Sequence, residues 1–160
     1  MKKIFLFIAI AFSVATNAQV TKVSLQASGL TCSMCSNSIN KALKTLDFVD
    51  KVEADIKKYT FEISFKSNST VDFEMIKKKV EGAGFTVSGF VASIVFNNVQ
   101  VTNNQPINIG DKIFYFVNAG GQSVNGVKEI KIIDKGFVSL KEFKSNPYPN
   151  SSAHTYHATL

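Results

Sequence analysis

Gly29-Leu30-Thr31-Cys32-Ser33-Met34-Cys35 holds the only two cysteines of the 160-residue chain, three positions apart. Before it, Val23, Leu25 and Ala27 alternate with Lys22, Ser24 and Gln26, the pattern of a half-buried strand. After it, Ile39, Ala42, Leu43 and Leu46 recur at helical spacing, so a helix of about three turns is predicted from near Met34. The dithiol therefore falls where a strand hands over to a helix. Unpaired N–H groups and the positive end of the helix dipole stabilise thiolates at such a place. Low thiol pKa serves soft-metal capture and disulfide exchange alike, so the sulfurs alone leave both uses open.

Downstream, Val52, Ala54 and Ile56 alternate with Lys51, Glu53 and Asp55. Tyr59, Phe61, Ile63 and Phe65 then alternate with Thr60, Glu62 and Ser64, and the intervening Lys57-Lys58 predicts a hairpin. Phe73, Ile76, Val80 and Ala83 form a second helical stripe, opened near Thr70 or Asp72 and closed by Gly84. Phe85, Val87, Gly89 and Val91 read as the last strand. The order βαββαβ predicts an α+β, ferredoxin-like sandwich over 20–91, with two helices on one face of a four-stranded antiparallel sheet.

The helical pattern then stops, and a small β-rich unit is expected over 92–146, as a second domain. Val99 and Val101 alternate with polar residues until Asn103-Asn104-Gln105-Pro106 breaks the run. The residues from Ile113 to Val117 are apolar on both faces, as in a covered strand. Asn118-Ala119-Gly120-Gly121 and Asn125-Gly126 are turn signals, and Ile130, Ile132 and Ile133 mark another strand. Ser139 and Glu142 form a capping box, with Val138 and Phe143 as its hydrophobic staple, so a short helix starts there. Pro147, Pro149 and the small polar residues around them predict a flexible tail over 147–160.

At the other end, Lys2 and Lys3 precede an apolar run from Ile4 to Ala15, followed by Thr16-Asn17-Ala18. That is the layout of a signal peptide over 1–18, and the run is too short for a membrane span. A periplasmic or secreted protein without stable membrane insertion is expected. Removing Lys2 and Lys3 takes the formal net charge from +6 to +4. The remaining lysines are scattered, apart from Lys77-Lys78-Lys79 along one helix, and arginine is absent. No nucleic-acid footprint is present in that pattern.

With two thiolates and no histidine nearby in sequence, a tetrahedral Zn(II) site is incomplete. Two soft sulfurs suit an ion that accepts low coordination, Cu(I) above all, with Hg(II) sharing the preference. The cysteine stretch, set inside βαββαβ and followed by Gly84-Phe85, resembles the heavy-metal-associated domain. That family includes bacterial copper chaperones, modules of copper-transporting ATPases and the periplasmic mercury-binding protein. The resemblance covers about Val20 to Val91. Leu30 stands where the family usually has methionine, and Phe85 at the position whose ring packs near the site. The resemblance implies that Cys32 and Cys35 ligate the metal. It also implies a carrier that passes Cu(I) by ligand exchange to a metal-transporting ATPase or another metal-binding protein, or a periplasmic Hg(II)-binding protein.

A thioredoxin-like exchanger usually has tryptophan before its CxxC and a proline facing it. This chain has no tryptophan, and its prolines are Pro106, Pro147 and Pro149. Other soft or borderline ligands are Met34 between the cysteines and His154 and His157 in the tail, as H-x-x-H. Met34 reads as an exposed loop residue, and Met75 as core or flank packing on the second helix. Glu53 and Glu62 are expected on solvent faces. No paired-carboxylate or Ser-His-Asp pattern supports catalysis, so a binding protein rather than an enzyme is expected.

Overall fold

In a computed structural model of the chain, residues 19–30, 33–145, 148 and 154–160 are described. The expected signal peptide lies outside them. Among the described residues, no helix is long and apolar enough to cross a membrane.

The first six elements follow the predicted order: β1 (Val20–Ser28), α1 (Ser33–Leu43), β2 (Val49–Asp55), β3 (Thr60–Phe65), α2 (Phe73–Gly82) and β4 (Thr86–Val101). They are followed by β5 (Pro106–Ile109), β6 (Lys112–Phe116), β7 (Gln122–Ile132), α3 (Leu140–Ser145) and β8 (Thr155–Thr159). All the strands join one sheet, ordered β2-β3-β1-β4-β7-β8-β6-β5. Its first four strands are antiparallel, with β1 central, as the ferredoxin-like arrangement requires. Val23, Leu25 and Ala27 of β1 point to one face. There they meet Ile39 and Leu43 of α1 and Phe73, Ile76 and Val80 of α2 in one core.

Both ends of α2 and the start of α3 have visible causes. Asp72 caps α2 by accepting the Met75 N–H at 3.1 Å. At the other end, the Gly84 N–H donates to the Glu81 carbonyl and the Phe85 N–H to the Val80 carbonyl. With Gly84 at φ +90°, this is a Schellman motif. The capping box of α3 forms by half. Ser139 Oγ accepts the Glu142 N–H, but the Glu142 carboxylate turns to Lys131 Nζ at 2.5 Å.

Four local readings are corrected. The β2–β3 turn is not confined to Lys57-Lys58 but runs from Ile56 to Tyr59. Asp55 Oδ1 accepts the Lys57 and Lys58 N–H groups, and Tyr59 takes a left-handed φ of 55°. In β4, Val87 is buried but Gly89 and Val91 are not; Phe90, Ala92, Ile94 and Phe96 face the core instead. A bulge explains the change of phase, because Gly89 pairs with Gln26 while Val87 pairs with Ala27. Asn125-Gly126 is no turn but part of β7, opposite a second bulge between Phe96 and Val99. Finally, β6 is covered on one face only: Phe114 and Phe116 are buried, and Ile113 is exposed.

The boundary expected after residue 91 falls inside β4, a 16-residue strand. The β-rich unit expected over 92–146 continues the same sheet and core. The expectation of a flexible tail over 147–160 fails at its end. There β8 pairs in parallel with β6 and antiparallel with β7, and Tyr156 and Ala158 enter the core at period two. Phe73 lies 4.9 Å from Phe90 and 5.2 Å from Tyr156, ring centre to ring centre. Phe137 lies 5.1 Å from Phe90 and 5.6 Å from Tyr156. Burying each such ring stabilises by about 1.5–3 kcal/mol, so the two halves share much of their stability.

Candidate metal site at the first strand-helix junction

β1 ends at Ser28, whose hydroxyl meets the Thr86 hydroxyl at 2.5 Å across the ladder. Gly29 then turns the chain at φ +88°, a conformation that side chains with a Cβ adopt at a cost. Leu30 is buried and joins the core. Thr31 and Cys32 lie outside the described residues. Cys35 occupies the first turn of α1, half-buried and packed against the core. No acidic residue stands in that first turn, so the positive end of the helix dipole is uncompensated by its own helix.

Two further segments close on this junction. The Ala27 N–H donates to the Tyr59 carbonyl at 3.2 Å, which holds the β2–β3 turn beside the end of β1. The Schellman motif aims Phe85 back toward the loop. Its Cδ1 lies 3.7 Å from where a Cβ on Gly29 would stand. Phe85 thus packs beside Gly29, where β1 gives way to the loop. Met34 is 79% exposed and points away from the core, while Met75 is 45% exposed, at the flank of α2 rather than in the core.

The other candidates do not join this site. His154 sits 3.6 Å from Asp111. His157 is held by Asp134, which takes its Nδ1 at 2.8 Å and its backbone N–H at 2.7 Å. Its ring stacks between Tyr115 and Tyr148. The H-x-x-H pair is therefore divided between two carboxylates. Among the described residues, no group of three or more His, Cys, Asp or Glu side chains is placed to hold a metal ion. Glu53 stands opposite Glu62 in the ladder, but each has its own lysine: Lys51 and Lys22. The hydrogen bond and charge of Lys51 hold Glu53 below its ordinary carboxylate range, which keeps it ionised rather than a proton donor.

Sequence reading missed the Asp134–His157 clamp and the burial of Lys112. The first joins residues 23 apart through tertiary packing, and no local pattern announces it. The second had a signal. Lys112 falls in phase with Phe114 and Phe116, at the period-two spacing of a core-facing strand.

Residues 24–86 match the heavy-metal-associated domain family. The mercuric transport protein periplasmic component of Serratia marcescens is 33% identical over 89 residues, covering 55% of this chain and 97% of that protein. The chain belongs to the heavy-metal-associated domain family. A probable copper-transporting ATPase of Arabidopsis thaliana is 29% identical over 119 residues, which cover 71% of this chain but only 11% of that protein. Among solved structures, the yeast copper transporter domain Ccc2a is 30% identical and covers 42% of this chain and 90% of that one, with a TM-score of 0.37. The heavy-metal-associated match ends at residue 86, the first residue of β4, so most of that long strand and the elements after it lie outside the matched residues.

Proposed function

We propose that the protein binds one soft metal ion, Cu(I) in the first place, through Cys32 and Cys35, and passes it to a partner dithiol. The observation that supports this reading is the place of Cys35. Cys35 opens α1 at a dipole end without acidic residues, and Leu30 and Phe85 anchor the loop beneath it. A two-coordinate, polarisable ion suits a pair of thiolates. Hg(II) shares that coordination preference, and the relative covered almost end to end is a mercuric transport protein, so Hg(II) is the second reading.

Transfer proceeds by ligand exchange. An acceptor thiol loses its proton and forms a new sulfur–metal bond while Cys32 or Cys35 gives one up, and the displaced thiolate takes up a proton in its place. The ion keeps its oxidation state throughout. The partner is a dithiol protein of the metal-transporting ATPase kind or another metal-binding protein. The N-terminal pattern over 1–18 and the periplasmic relatives support an exported carrier.

The test is anaerobic titration of the reduced protein with Cu(I), Hg(II) and Zn(II) against a competing chelator, followed by intact-mass measurement. One Cu(I) per chain is expected, with Zn(II) held far more weakly. Cys32→Ser and Cys35→Ser should each abolish tight binding while leaving the fold intact. Tight Cu(I) binding that survives the double serine variant would sink the reading.

A further inference from the structure

Gln19 leads the chain into β1. Its carbonyl accepts the Val95 N–H at 3.1 Å, Val20 pairs with Ile94, and the Thr21 hydroxyl donates to the Ser93 carbonyl at 3.1 Å. Among the described residues, pairing with β3 begins only at Lys22, opposite Ser64. Gln19 is thus fastened to β4 through its carbonyl, while the residue itself is exposed. It lines a cavity of about 410 Å³ between the start of β1, the β3–α2 loop and the β5–β6 turn.

A cut after Ala18 changes the chemistry of this residue. Thr16 and Ala18 are small residues, three and one positions before that bond. Once the bond is hydrolysed, Gln19 carries a free α-amino group and, on the same residue, a carboxamide within reach of a five-membered ring. Nucleophile and electrophile then share one residue, which gives the attack the advantage of an intramolecular reaction.

We propose that Gln19 of the exported chain is a modification site and closes to pyroglutamate; the site rests on the export reading above. The α-nitrogen attacks the side-chain Cδ. The N–Cδ bond forms, the Cδ–Nε2 bond breaks, and ammonia leaves with the proton that the α-nitrogen gives up. No oxidant, reductant or second substrate enters. An α-amino group titrates at about 7.7–8.0, so about a tenth of it is the neutral nucleophile at pH 7. Asp111, the carboxylate in the cavity wall, is committed to Lys112 Nζ at 2.6 Å, with His154 3.6 Å away on its other oxygen. It is therefore not left to lock the new terminus as an ammonium. Closure consumes neither the Gln19 carbonyl nor its bond to Val95, and the cavity leaves room for the ring. The closed ring also bars stepwise trimming by aminopeptidases, which act on a free α-amine. Trimming would matter here, because loss of Gln19 takes away the acceptor of the Val95 N–H beside a central strand.

The experiment is production of the full chain, residues 1–18 included, in a Gram-negative host. The protein recovered from the periplasm is held at physiological temperature and neutral pH. Its intact mass is followed, and fragmentation of the N-terminal peptide locates any change. The expected product spans 19–160, is lighter than its sequence by one ammonia lost at residue 19, and yields Val20 as its first residue after pyroglutamyl aminopeptidase. Gln19→Asn keeps a carboxamide but would need a four-membered ring, so it should retain its α-amine with the fold unchanged by circular dichroism. A chain that begins at Gln19 and keeps its α-amine throughout overturns the inference and leaves the export reading standing. So does a cut at another bond, or loss of ammonia at residue 19 in the Gln19→Asn variant. A chain that still carries residues 1–18 removes the export reading and the inference with it.

Discussion

Gly29 and Tyr156 show how single side chains bear on this molecule. Gly29 adopts φ +88°, and a Cβ there would only touch Phe85 at an ordinary 3.7 Å. The strain of Gly29→Ala is therefore backbone strain, of about 1–2 kcal/mol. We expect that variant to lose that much in urea denaturation and to bind Cu(I) more weakly although both cysteines remain. Tyr156 is 1% exposed, and among the described residues its hydroxyl has no hydrogen-bond partner. Burial, with Glu74, Asp72, Asp111 and Asp134 around it, pushes its pKa upward, so the phenol stays neutral. An unsatisfied buried hydroxyl costs about 1–3 kcal/mol. Tyr156→Phe should therefore raise the urea midpoint or leave it unchanged, and a clear fall would reveal a partner for the hydroxyl. The cap of Asp72 and the left-handed Gly84 were legible from residue type alone, because both act on backbone groups within four positions.

At the level of elements, α2 and β4 contrast. The helix owes its limits to neighbours in sequence, and Asp72→Ala should cost about 1 kcal/mol, read as a lower thermal midpoint. In β4, the two bulges let Val87, Phe90 and Val101 all reach the core although they do not share one alternation. Deleting Val91, between the two bulges, would shift the phase of the strand and turn Ala92, Ile94 and Phe96 away from the core. We expect that deletion to unfold the protein at temperatures the native chain withstands, as circular dichroism would record. The alternation read from sequence as Phe85, Val87, Gly89, Val91 went astray for this reason. A bulge is a mismatch between two strands, and one strand's sequence does not contain it.

Across the whole molecule, Phe73 joins what the family pattern covers to what it does not. Its ring meets Phe90 on one side and Tyr156 and Phe114 of the added strands on the other. Phe73→Ala should cost about 3–5 kcal/mol and destabilise both halves together. The native chain should unfold in one cooperative step, with near- and far-ultraviolet signals coincident; two separated transitions would show that the halves are independent. The same argument applies to Lys77, whose ammonium lies 4.7 Å above the Phe137 ring and ties α2 to the segment after β7.

Periods of 2.0 and 3.6, two caps and a CxxC at a strand-helix junction were enough to read the βαββαβ order and the place of Cys35 at the start of α1. Those signals are local, because side-chain direction and capping depend on residues a few positions apart. Which strand β4 would pair with on its far side, and whether the final residues would stay loose, depended on apolar faces meeting across the chain. Tyr156 and Ala158 are too few to define a strand, and they become one only because β6 and β7 supply the missing backbone partners. The ion pair at Lys112 belongs to the same class: its alternation was visible, but the cavity beside it came from three segments that only the folded chain brings together.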